Sequence, residues 1–168
     1  MTTYYSEFQK VLLSVDCIIF GFDNNKLKIL IGKRNMDPGR GEWSLYGGFV
    51  RNDESLDEAA HRTLRELTGL RNIFMRQVGA FGNLDRDPGE RVVSVAYYAL
   101  INVKDYSERQ RKHHGVEWIN IEDIPQSCQL IQGSCSSIVY TLVCGYEASV
   151  EAPFATTWIH LPLANQYL

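Results

Sequence analysis

The residues of this 168-residue chain that could do chemistry gather first around Gly47-Gly48, Glu54, Arg62 and Glu66. Adjacent glycines admit backbone conformations closed to other residues and let a ligand come close to the main chain. Arginine grips a carboxylate in two directions, so Glu54 and Arg62 are expected to pair and fix the loop between them. Carboxylates also hold divalent cations, and on a helix positions 63, 66 and 67 share one face because they are three and four residues apart. Magnesium dehydrates reluctantly and needs several oxygen ligands. That face carries Thr63, Glu66 and Leu67. One carboxylate is a poor anchor for such an ion.

A second polar group is Asp85, Arg86, Asp87 and Arg91, alternating in sign around Pro88-Gly89. Its donors and acceptors suit sugar hydroxyls or a phosphate. A solvated, salt-bridged loop accounts for the same residues. Tyr97 and Tyr98 point to opposite faces of a strand, so one is expected to be buried and the other to line a pocket, with Tyr97 the candidate. Trp43 could stack on a ligand or pack in the core. Phe49 is a further candidate lining residue, beside Gly47 and Gly48.

The elements that must position these groups are legible in the pattern. Val11 to Phe22 is apolar and β-branched, Asn24-Asn25 supplies a turn, and Leu27 to Ile31 resumes the strand, which reads as a β-hairpin. Asp37-Pro-Gly-Arg-Gly41 is a loop leading to Trp43–Val50. Ser55 followed by Glu58 is a capping box, and Leu56, Ala59, Ala60, Leu64 and Leu67 form the apolar stripe of a helix. Gly69 closes it. Val92 to Val103 reads as a strand, and Gly115 to Asn120 as a shorter one.

Gly48, Glu54, Arg62, Leu64, Glu66, Gly69 and Leu70 stand at the spacings of the Nudix box: Gly, five residues, Glu, seven residues, then Arg-Glu-aliphatic-any-Glu-Glu-any-Gly-aliphatic. The chain therefore resembles the Nudix superfamily. Seven of nine fixed positions match, and Gly48, Glu54, Arg62, Glu66 and Gly69 are its structural frame. The two mismatches, Thr63 and Leu67, fall on helical glutamates that hold magnesium in Nudix enzymes. Diphosphate hydrolysis is accordingly expected to be lost or very slow, because the Lewis-acid contribution of the metal is missing. Glu66 is then a vestigial catalytic residue. No cofactor is expected; an active enzyme would need magnesium on Glu54 and Glu66, with Glu90 a further carboxylate.

Gly79 to Arg91 and the strand after it, together with Gly47-Gly-Phe-Val50, resemble the Nudix-related transcriptional regulators, most of all the arabinose-responsive ones. That resemblance implies an α/β fold, a Nudix α/β/α sandwich with a mixed sheet, acting as an effector sensor joined to a C-terminal winged helix that grips DNA. The expected ligand is a pentose or a nucleotide sugar such as ADP-ribose, bound by Trp43, Gly47, Gly48, Phe49, Asp85, Arg86, Asp87, Arg91 and Tyr97. The runner-up function is a magnesium-dependent hydrolase of ADP-ribose, and a third is an interaction module with a vestigial pocket.

The resemblance covers residues 11–125, and residues 126–168 read as a short extension of different character. All 17 Lys and Arg precede residue 126, and Glu147 and Glu151 are the only acids after it. A winged helix takes about 43 residues before any connections are counted, so the extension has no spare length. Affinity for DNA comes largely from cations displacing counterions, so DNA binding, expected of the regulators, is not supported by these residues. A truncated, rearranged or altered C-terminus is the expectation. Ile131 to Gly145 could be helix or strand, and an exposed apolar tail would favour self-association as a homodimer. Arg109-Gln-Arg-Lys-His-His114 reads as a solvated loop. The net charge of -3 gives no broad footprint for nucleic acid. No apolar run is long enough to span a membrane, no secretory signal opens the chain, and the four cysteines lack ligand spacing. A cytoplasmic protein with reduced thiols is expected.

Overall fold

The structure, a computed structural model, describes residues 4–23, 26–37, 39–106 and 115–124. The Asn24-Asn25 turn, the basic stretch 109–114, and the expectations for Pro125 and residues 126–168 lie outside the described residues, as do Cys128, Cys135 and Cys144.

The apolar run near the N-terminus forms β1 (Leu12–Asp23), buried without a break from Ser14 to Gly21. One edge pairs with β6 (Val92–Asn102) in parallel along its length, from Leu12 against Val92 to Phe22 against Asn102. Its other edge is divided. β4 (Tyr46–Phe49) pairs antiparallel with Ser14 to Cys17, and β2 (Lys26–Lys33) pairs antiparallel with Ile19 to Asp23. The sheet is completed by β3 (Trp43–Ser44) and β7 (Val116–Asn120) on β2, and by β5 (Arg76–Phe81) antiparallel to β6. It is a mixed sheet, as expected.

β5 was not anticipated. Its sequence, Arg76-Gln-Val-Gly-Ala-Phe81, has little β-branched content, and its register shifts between Gln77 and Gly79, so it lacks a clean two-residue period.

Helix α1 (Leu56–Thr68) forms where its caps and stripe place it. Ser55 Oγ accepts from Glu58 N at 3.3 Å, and Glu58 Oε2 accepts from Ser55 N at 2.8 Å. Gly69 ends it in the left-handed region, at φ 76°, with its N–H donated to the Arg65 carbonyl at 2.9 Å. The stripe packs on the face of the sheet that carries Val15, Cys17 and Ile19, with Leu64 only 1% exposed. Burying one such leucine stabilises by about 1.5–3 kcal/mol. The opposite face carries Ile18, Phe20, Ile29, Ile31 and Ala96. The second helical layer of the expected sandwich is not among the described residues, and no helix among them is long and apolar enough to cross a membrane. Cys17 is a buried free thiol whose pKa burial pushes up.

Candidate functional site

Where β2 and β4 share the edge of β1, a cleft of about 350 Å³ opens. Its walls come from β4 and the residues before it, from the end of β2 at Lys33 through Met36, from Arg86–Pro88 after β5, and from Leu67 on α1. Of the candidate ligand residues, the structure brings Gly47, Gly48, Phe49, Arg86 and Asp87 together here. Trp43, Asp85, Arg91 and Tyr97 stand apart from it.

Three of those four have another local role. Trp43 is half-buried against the core, with Lys33 Nζ 5.2 Å from its ring centroid. Asp85 is exposed, and Arg91 Nη1 donates to the Asn83 carbonyl at 3.1 Å, bracing the loop. Tyr97 is 2% exposed on the α1 face, and its hydroxyl donates to Asp57 Oδ1 at 2.6 Å. Tyr98 lies half-buried against the cluster on the other face. The alternation of the two tyrosines therefore holds, but α1 covers the face that Tyr97 occupies.

Gly47 and Gly48 are needed for space rather than for backbone conformation, since neither has positive φ. A Cβ on Gly47 would collide with Asp16 Oδ1, and one on Gly48 would stand 2.6 Å from Thr63 Oγ1.

Sequence reasoning missed the floor of the cleft. Asp16, on β1, is buried, and its Oδ2 accepts from Ser94 Oγ on β6 and from Arg86 Nη2, the latter at 3.0 Å. Burial pushes its carboxyl up, and Ser94, Arg86 and Arg34 pull it back only in part. Arg34 and Tyr46 also line the cleft. The available signal was a lone acid inside an apolar strand run, which must find a partner to be tolerated.

The box residues form a separate polar lattice. Arg62 donates to Glu54 through Nε at 2.8 Å and Nη2 at 2.6 Å, to the Phe49 carbonyl at 2.9 Å, and to Glu66 through Nη1 at 3.1 Å. Arg51 reaches Glu66 at 3.6 Å, and its backbone N–H donates to Glu54 at 2.9 Å. The Arg62 grip holds the Glu54 carboxyl down to about 2. These residues do not fit the magnesium ion that the Nudix resemblance implies. Both carboxylates are engaged by arginines, Thr63 is 1% exposed with its hydroxyl against Gly48, and Leu67 faces the cleft. Among the described residues no three His, Cys, Asp or Glu side chains group closely enough to hold a metal.

Comparison with known proteins follows the same lines. The family profile described as the NUDIX domain matches residues 10–134. The ADPR responsive transcriptional repressor NtrR of Acinetobacter baylyi is 39% identical over 119 residues, covering 70% of this chain and 48% of that protein. An ADP-ribose pyrophosphatase of Methanocaldococcus jannaschii is 39% identical over 70 residues, covering 42% of this chain and 41% of that one. The NUDIX domain of Shewanella oneidensis NrtR, solved in complex with ADP-ribose, is 27% identical with a TM-score of 0.68, covering 83% of this chain and 91% of that one. The chain thus spans about half the length of the curated relatives it matches. With the profile spanning most of its length and the box helix seated on the mixed sheet, the chain belongs to the Nudix domain family.

Proposed function

We propose that this Nudix domain is a non-catalytic sensor, the effector-binding part of a transcriptional regulator, and that its cleft takes ADP-ribose or a closely related nucleoside diphosphate sugar. The observation that carries the reading is the state of the box helix. Thr63 and Leu67 replace two acids, and the remaining Glu54 and Glu66 are bound by Arg62 and Arg51. Without carboxylates free to hold a divalent ion, no metal polarises a phosphoanhydride or acidifies a water. The cleft beside them keeps the polar groups that recognition requires. Similarity to an ADP-ribose-responsive repressor favours ADP-ribose over a free pentose as the ligand.

Similarity to an ADP-ribose pyrophosphatase supports a second reading, a magnesium-dependent hydrolase acting through Glu66, which is nearly half exposed. Two measurements on the same chain separate them. A sensor shows a rise in melting temperature with ADP-ribose in EDTA, because a ligand that binds the folded state alone stabilises it by mass action. It releases no AMP when magnesium is added. Magnesium-dependent AMP release that Glu66→Gln abolishes would establish the hydrolase instead.

A further inference from the structure

The cleft holds more cationic donor capacity than its own residues use. Arg86, buried, donates to Asp16 through Nη2, while its Nε–H is buried without an acceptor. Arg34 is half-buried with a second unpartnered Nε–H, and its charge acts on the same Asp16 carboxyl. Both arginines line the one cleft. Its other acid, Asp87, accepts from the backbone N–H of Gly89 at 2.8 Å, and its other cation, Lys33, stands over Trp43. Among the described residues three cations thus face two acids, and buried donors left unpaired are costly.

A guanidinium presents a planar fork of donors that matches phosphate oxygens two at a time, and it keeps its charge at any working pH. We propose that Arg34 and Arg86 together bind the diphosphate of the ligand directly, supplying from the protein the positive charge that a divalent cation supplies in a hydrolase. This rests on the reading of the cleft as a nucleoside diphosphate sugar site. The Arg86 guanidinium turns from Asp16 toward the incoming phosphate, and Arg34 closes on the adjacent one. Charge neutralisation then needs no metal, which accords with a box helix on which Thr63 and Leu67 replace two acids and Glu66 is held by Arg62.

The test is calorimetry on the full chain in EDTA, with ADP-ribose, inorganic pyrophosphate and adenosine as probes. The variants are Arg34→Gln and the pair Asp16→Asn with Arg86→Gln, which avoids stranding a buried carboxylate; melting curves confirm that each folds. Loss of charge-assisted bonds should weaken ADP-ribose and pyrophosphate by about ten-fold or more in each variant, leaving adenosine unchanged. Wild-type affinity for ADP-ribose in both variants, or binding that disappears in EDTA, overturns the proposal while leaving an ADP-ribose site in place. Pyrophosphate binding that Arg34→Gln destroys, in a chain that ignores ADP-ribose, leaves the anion site standing and removes the sensor reading. A wild-type chain that binds neither probe removes both.

Discussion

Arg62 holds Glu54 at two points, Nε to Oε2 at 2.8 Å and Nη2 to Oε1 at 2.6 Å, across the turn that joins β4 to α1. The same guanidinium takes the Phe49 carbonyl, so one side chain ties the end of a strand, a loop and a helix together. The box therefore keeps its structural tie while Thr63 and Leu67 stand in place of two of its acids. Arginine suits this role because its fork is planar and permanently charged.

That grip makes the fold sensitive to acid. Arg62 holds the Glu54 carboxyl down to about 2, against an ordinary 4.5. A depressed carboxyl contributes stability that is complete above the ordinary value and is lost as pH falls through the folded one. Urea midpoints should accordingly drop between about pH 4.5 and about pH 2. Glu54→Gln should be less stable at neutral pH and show a flatter acid slope. A wild-type slope in that variant would show that the charge on Glu54 does not matter to folding.

Gly48 and Thr63 should prove energetically coupled. An alanine Cβ at residue 48 would lie 2.6 Å from Thr63 Oγ1 and 3.4 Å from its Cγ2. Overpacking of this kind costs about 1–3 kcal/mol, so Gly48→Ala should destabilise by that order in chemical denaturation. Adding Thr63→Ala removes both crowding atoms, and the Thr63 hydroxyl has no partner to lose. The double variant should recover most of the loss, and strictly additive losses would place the strain elsewhere.

How far the sequence revealed this arrangement depends on how local each interaction is. The capping box at Ser55 and Glu58, the stripe through Leu64, and Gly69 all act within one helix, and each was legible. Asp16 finds its partners 70 and 78 residues away, at Arg86 and Ser94, so nothing in its neighbourhood announces the cleft. Arg34 follows Lys33 at the end of a strand, and nothing local marks its charge as one that acts on Asp16. Parity showed that Tyr97 and Tyr98 face opposite ways, but not which face α1 would cover. The bulge in β5 hid a whole strand.

Asp16 should impose a pH dependence opposite in sign to that of Glu54. Burial raises its carboxyl above the ordinary 3.8, so the folded state keeps this proton longer than the unfolded chain does. Stability from this group therefore falls as pH climbs from about 3.8 to the raised folded value. Asp16→Asn keeps an oxygen acceptor for Ser94 and Arg86 while removing the titration, and its urea midpoints should lack that decline. Identical pH profiles for the variant and the wild type would mean that Asp16 stays charged throughout, held so by its arginines.

Tyr97→Phe tests whether this tyrosine serves the ligand or the fold. Its hydroxyl reaches Asp57 Oδ1 at 2.6 Å, and its ring packs with Val15, Ala59, Ala60 and Val95 beneath α1, away from the cleft. Phenylalanine preserves the ring packing and removes one hydrogen bond, while Asp57, exposed near the start of α1, can rehydrate. The expected loss is therefore modest, about 0.5–1.5 kcal/mol in denaturant melts. ADP-ribose affinity measured by calorimetry should not change, because no atom of Tyr97 lines the cleft. A variant that melts like the wild type yet binds ADP-ribose about ten-fold more weakly, a difference of about 1.4 kcal/mol, would put the ligand on the α1 side of the sheet and empty the cleft of its role.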